Sequence, residues 1–294
     1  MIDKAQGCFL GLAIGDAMGA PVEFSPPGSF IPVTNYQSGG PFNLQAGQYT
    51  DDSSMALCLA ESLLSCGGTN LQDQMTRYWD WFDNGSNSST GRCFDIGTGT
   101  RSALLRWRES GDPLSGAEYA LGNGSLMRLA PVAIRYWSDG IKARKYAIES
   151  TLTTHGHPVT WAATEYLADV LSRLIQGFSK EDVMEATKSN SSEISQVLSG
   201  SWEGRPVKAS GHVLKSLEAA LWAFFTTDSF SDCVLRAVNL GDDADSVGAI
   251  AGQLAGAYYG MGAIPLDWIV QLQDSEKFQT LAKRLYGAAE GKVA

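Results

Sequence analysis

The chain has 294 residues, 44% of them apolar and 18% charged, which is enough for one large buried core without disulfide staples. A formal net charge of −10 speaks against a nucleic-acid surface or an anionic membrane as the natural partner, because phosphate would be repelled. The five cysteines (Cys8, Cys58, Cys66, Cys93 and Cys233) are odd in number and lack CxxC spacing, so they read as buried thiols of a reducing, cytoplasmic compartment.

Apolar residues three and four apart run through the chain with no series of alternating strands, so the expected class is all-α. No Pro/Gly/Ser linker divides the middle, and a single domain over 1–294 is expected. The first helix, 3–19, carries Gly7, Gly11, Gly15 and Gly19 at every fourth position, and these glycines with Asp16 make it poor signal-peptide material. A loop with room for a minor hairpin spans 29–49, punctuated by Gly39, Gly40 and Pro41. Thr50-Asp51-Asp52 then leads into a helix at 52–65. The next helix, 70–83, holds Tyr78, Trp79, Trp81 and Phe82 at a spacing that reads as core.

Residues 84–99 form a polar loop too long for a simple connection, which marks either a binding element or a disordered segment. Its end, Gly97-Thr98-Gly99, precedes a helix at 100–109, where free N–H groups can cradle an anion. After a helix at 114–121, Gly122-Asn123-Gly124-Ser125 offers the same chemistry ahead of a helix at 125–137. The small basic group Arg135, Lys142, Arg144 and Lys145 reads as a solvated face around the helix at 142–154. His155 and His157 flank Gly156, a spacing that rules out an i,i+4 metal pair on one helix face. Helices at 159–176, 180–188, 210–226 and 230–239 follow.

Asp243-Ala244-Asp245-Ser246 opens the helix at 246–260, which repeats the four-residue glycine period at Gly248, Gly252, Gly256 and Gly260; a last helix is expected at 275–286. The apolar run Val247 to Ile264 reads as a buried helix, since glycines and Gln253 interrupt it, and not as a membrane span. Each helical glycine costs about 1 kcal/mol relative to Ala, so two such stripes imply close backbone contact. If the stripes cross, Asp16 is carried toward Asp243 and Asp245.

The two acidic clusters, almost two hundred residues apart, read as halves of one metal site. Thr50, Asp51, Asp52, Asp243, Asp245 and Ser246 offer four carboxylates and two hydroxyls, hard donors that suit Mg²⁺ or Mn²⁺ over zinc. Two such ions about 3.5–4 Å apart would activate a water or polarise a leaving oxygen, and the natural output is hydrolysis. Ordinary helix N-caps are the alternative, but they need one Asp or Thr per helix and leave the second carboxylate unexplained.

Six stretches in order resemble the ADP-ribosylglycohydrolase family: Gly11 to Glu23, Tyr49 to Ser53, Cys93 to Gly97, Gly122 to Arg128, Thr154 to Pro158, and Gly241 to Ser246. The likeness runs from about residue 5 to residue 270 and is nearest the bacterial branch typified by the glycohydrolase that reactivates ADP-ribosylated dinitrogenase reductase. It implies a compact all-α fold and two Mg²⁺ or Mn²⁺ ions held by the six residues above. The implied activity is hydrolysis of the bond from ADP-ribose to an acceptor, often an arginine side chain, on a protein or small molecule. It further implies catalytic roles for Glu23, Asp52 and Asp95. Gly97, Thr98, Gly99, Asn123, Gly124, Ser125 and His155 would bind the substrate. Related folds without catalysis, ADP-ribose binders or crystallin-like proteins, are the alternative, and the oligomeric state is open.

Overall fold

The computed structural model describes residues 1–186, 192–198 and 206–289. Fourteen α-helices are described: α1 Ile2–Gly19, α2 Asp51–Ser65, α3 Leu71–Asn84, α4 Thr98–Ser110, α5 Ala130–Arg135, α6 Gly140–Leu152, α7 Pro158–Gln176, α8 Lys180–Ala186, α9 Ser192–Leu198, α10 Val213–Phe225, α11 Phe230–Val238, α12 Ala244–Tyr259, α13 Leu266–Gln271 and α14 Ser275–Ala289. Among the described residues only isolated bridges occur in place of strands, so the fold is all-α.

The core is organised by the two glycine-striped helices. α1 and α12 run antiparallel in backbone contact, and a Cβ built on Gly11 would collide with the Gly252 carbonyl, as one on Gly15 would with that of Gly248. The same seam continues from Gly7 against Gly256 to Gly19 against Asp245. Glycine therefore recovers its helix penalty through an approach that no side chain permits. Both helices are sunk in the core, with α14 covering α1 through the edge-on pair Phe9–Phe278, ring centroids 5.0 Å apart, and α10 and α11 packing on α12. α12 is buried almost throughout, and no described helix is long and apolar enough to cross a membrane.

Several expected elements change. Residues 114–121 are not helical: Gly116 N–H bonds the Leu152 carbonyl and Ser115 O accepts from Arg106, so the segment is tied down as a loop beside His155. The helix expected at 125–137 shrinks to α5, which opens at Ala130 with Pro131, whose fixed φ suits a first turn, as its second residue, while 124–128 forms turns. The hairpin within 29–49 reduces to one bridge between Gly39 and Leu44. α9 and α13, each under two full turns, carry too few periodic positions to be read from sequence. The end of the helix expected at 180–188 lies outside the described residues. Cys8, Cys58 and Cys233 are buried as expected, but Cys66 ends α2 at the surface and Cys93 is half-buried. Tyr78 and Trp81 are core, with Trp79 and Phe82 packed against them.

Candidate metal centre and cleft

The antiparallel seam sets the N-termini of α2 and α12 side by side. Thr50 and Asp243 occupy the N-cap positions, yet neither makes a side-chain cap hydrogen bond. Thr50 Oγ1 instead donates to Asp245 Oδ2 at 3.3 Å, and Ser246 Oγ donates to Asp52 Oδ1 at 3.4 Å, so the two clusters interlock. The cap of α2 comes from α1: Asp16 accepts Thr50 N–H at 2.9 Å, Ser53 N–H at 3.0 Å and Ser53 Oγ–H at 2.6 Å. Asp16 was the residue that the stripes alone brought to this place; its part in the centre was not read from the sequence. The simple N-cap reading of the acidic clusters is thereby overturned.

Seven carboxylates converge. Glu23 ends the short 3-10 turn after α1 and is buried, not an exposed loop residue, and oxygen atoms of Glu23, Asp243 and Asp245 lie within 4.8 Å of one another. Asp95 reaches the same cluster, close enough to feel the charges of Asp51, Asp245 and Glu23, while α4 starts at Thr98 with Gly97 as N-cap and no side-chain cap. Burial first and the neighbouring carboxylates second push Glu23 up to about 10, Asp95 up to about 12, and Asp16 and Asp243 up to about 7; Asp51 and Asp52 are raised for the same reasons.

Buried, mutually repelling carboxylates are the signature of a cation site. Glu23 Oε2, Asp52 Oδ2 and Asp245 Oδ1 are buried without any hydrogen-bond partner. These orphaned oxygens, with hard donors on every side, fit a divalent cation.

A cleft of about 780 Å³ opens above the cluster, within the usual range for a small-molecule site. Asp51, Asp95, Asp243, Asp245 and Ser246 line it, as do Glu23, Gly97, Thr98, Gly99, Asn123, Gly124 and His155. Asn123 Nδ2 donates to Asp243 Oδ2 at 2.6 Å and to Ser216 Oγ at 2.9 Å, holding one acidic side chain in place. Thr50 and Asp52 sit beneath the floor, fully buried. Ser125 is turned away, its Oγ paired with Thr164 Oγ1 at 2.8 Å. His157 is the N-cap of α7, where Nδ1 accepts Val159 N–H.

The mouth holds residues that sequence reading did not single out. Phe24, 64% exposed, stands in a row with Phe42 and Phe94, and Tyr119 stands 81% exposed at the rim. Phe24, Asp95 and Asp242 all adopt positive φ, an uncommon state for residues with a Cβ that tends to gather at functional sites. Phe24 N–H donates to Asp242 O at 2.7 Å and Asp242 N–H to Ser25 O at 2.8 Å, a reciprocal pair that fastens the Glu23 turn to the segment carrying Asp243. The VEF and GDD tripeptides gave no sign of this strain.

Comparison with known proteins agrees with this geometry. The ADP-ribosylglycohydrolase family profile matches residues 1–293. An ADP-ribosylarginine hydrolase, Tri1, of Serratia proteamaculans is 39% identical over 97% of this chain and 79% of its own length. The ADP-ribosyl-[dinitrogen reductase] glycohydrolase of Rhodospirillum rubrum is 32% identical over 92% of this chain and 90% of its own. A solved structure described as an ADP-ribosylglycohydrolase-related protein complex superposes with a TM-score of 0.88, at 41% identity and 98% coverage of both chains.

Proposed function

Because the chain belongs to the ADP-ribosylglycohydrolase family, we propose that it hydrolyses the bond between ADP-ribose and an arginine side chain, on a protein or a small molecule. The observation that carries this reading is the convergence of seven carboxylates, five of them buried and Asp95 and Asp243 half-buried, at the floor of a cleft walled by two glycine turns. Thr50, Asp51, Asp52, Asp243, Asp245 and Ser246 would hold two divalent cations, Mg²⁺ or Mn²⁺. Such ions supply Lewis acidity toward the distal ribose hydroxyls and a water, and offset the repulsion among the carboxylates.

The chain's own groups do the rest. The free N–H groups at the start of α4, by Gly97, Thr98 and Gly99, hold the diphosphate with help from the Gly122–Gly124 turn. Hydrolysis joins a water oxygen to the anomeric carbon and breaks the carbon–nitrogen bond, so one proton leaves the water and one is needed on the departing guanidine. Glu23 and Asp95, carboxyl groups that line the cleft beside the cluster, are placed to hold and move that proton. Positive charge developing at the anomeric carbon is stabilised by the carboxylates around it.

The test is release of free ADP-ribose from ADP-ribosyl-arginine by the cation-loaded protein, stopped by chelator and restored by Mg²⁺ or Mn²⁺. Glu23→Gln should keep cation binding and lower the chemical step. Loaded protein that frees no ADP-ribose from arginine, serine, nucleic-acid or free-guanidine adducts would leave a binding protein in place of an enzyme.

A further inference from the structure

The Gly122 to Arg128 stretch ends on a residue that the reaction above does not use. Arg128 is only 1% exposed, yet among the described residues no carboxylate lies within ion-pair distance of it. Its guanidinium lies 4.7 Å from the Tyr78 ring centroid, approaches Met55 Sδ at 3.6 Å, and donates from Nη2 to Thr154 Oγ1 at 2.6 Å. Thr154 is fully buried, and its Oγ1 lies 2.8 Å from His155 Nδ1.

We infer that Arg128 is a positioning residue that, through the Thr154 hydroxyl, fixes His155 as the tautomer presenting Nε2–H to an acceptor oxygen of the diphosphate. The inference rests on the ADP-ribose reading for its ligand, and on hydrogen-bond bookkeeping for its geometry. Arginine has only donors, so Thr154 Oγ1 must accept from it. Nδ1 is the other polar atom in reach, so the single hydroxyl proton goes there. The reverse tautomer would give Oγ1 two donors and bury its own proton without an acceptor. With Nδ1 accepting, the imidazole proton sits on Nε2.

That edge of the ring faces the cleft. Nε2 would lie 3.1 Å from a Cβ on Gly122, 3.3 Å from one on Gly124 and 3.7 Å from one on Gly99, so the three cradle glycines surround it. Among the described residues it has no protein acceptor, and His155 lines the cleft. Burial, then the Arg128 charge, drives the imidazole pKa down to about 3, so His155 stays neutral and a single tautomer persists through the physiological range. A neutral donor backed by a buried cation is suited to a phosphate oxygen, since it binds an anion without exchanging a proton.

The experiment uses the full Mg²⁺-loaded chain labelled with nitrogen-15 histidine, with His155 assigned by His155→Gln. Long-range proton–nitrogen correlation should show His155 protonated on Nε2 and not titrating from pH 5 to 8. Thr154→Val, which keeps the shape but removes the hydroxyl, should lose the preference. It should also raise KM, or the Kd for ADP-ribose, about tenfold, with kcat changed no more than about threefold. Thr154→Ser should restore both. Arg128→Met is the harsher variant and is read only alongside its circular dichroism and melting. Protonation on Nδ1 in the wild type, titration near 6.5, or an unchanged tautomer in Thr154→Val would each overturn the relay. Absence of any ADP-ribose release bears instead on the hydrolase reading, because the tautomer is measured without turnover.

Discussion

The N-termini of α3, α6 and α11 and those of α2 and α12 begin with the same kinds of residue and spend them differently. Asn70, Asp139 and Ser229 each accept the N–H three residues on, at 3.1, 3.1 and 3.0 Å, so their polarity is consumed by the helix itself. Thr50 and Asp243 hold the same positions and cap nothing. The cap of α2 is outsourced to Asp16 of α1, and Asp243 is held by Asn123. On the proposed reading, an oxygen withheld from its own helix is one retained for a ligand.

The largest way to break the contrast is to remove a withheld oxygen. Asp52→Ala or Asp245→Ala should cut turnover at least about 100-fold, while melting of the cation-free protein stays level or rises because a repelling charge is gone. A variant that keeps near-normal kcat, or that unfolds, would place these carboxylates with the ordinary caps.

Cation addition should next divide the protein by pH. Asp16 and Asp243 sit near 7 when folded against an ordinary 3.8, so the folded, cation-free chain binds more protons than the unfolded one. That stability is complete below about pH 3.8 and is lost as pH rises through 7. Cations bind the ionised carboxylates, so Mn²⁺ at a hundred times its Kd should add about 2.7 kcal/mol near pH 8 and much less at pH 5. Equal shifts in melting temperature at both pH values would contradict the carboxylates as ligands.

The seam that holds the two uncapped ends together gives the third test. Gly11→Leu or Gly252→Leu should cost about 1–3 kcal/mol or more by denaturant melting, since the added side chain meets backbone and not a movable neighbour. An unaffected midpoint would mean that the helices separate freely. The smallest effect belongs to the true caps: Ser229→Ala should cost about 1 kcal/mol and leave kcat/KM unchanged.

What could be read from the residues follows the same line. The glycine stripes disclosed the crossing because a four-residue period of helix-weakening residues has few other uses, and the acidic pairs disclosed the cluster because a cap needs only one oxygen. Asp16 stayed half-hidden, since its role arises from α2 docking above it, a relation between residues 16 and 53 that no local spacing encodes. Residues 114–121 carry helix-like periodicity but are recruited as a cleft wall, where contacts with Leu152, Gly156 and Arg106 override local preference. Ser125 continues the polar run of its turn and still faces Thr164, because the chain turns between Gly124 and Leu126.

The glycine seam also sets an order of events during synthesis. α12 follows α1 by more than two hundred residues, so at about 5–20 residues per second the smooth face of α1 waits on the order of 10–50 s for its match. In that interval an almost wholly apolar helix has no native cover for its stripe, and the acidic cluster, whose residues come from distant parts of the chain, does not exist. The centre thus has high contact order and is assembled only after the α12 segment has been made.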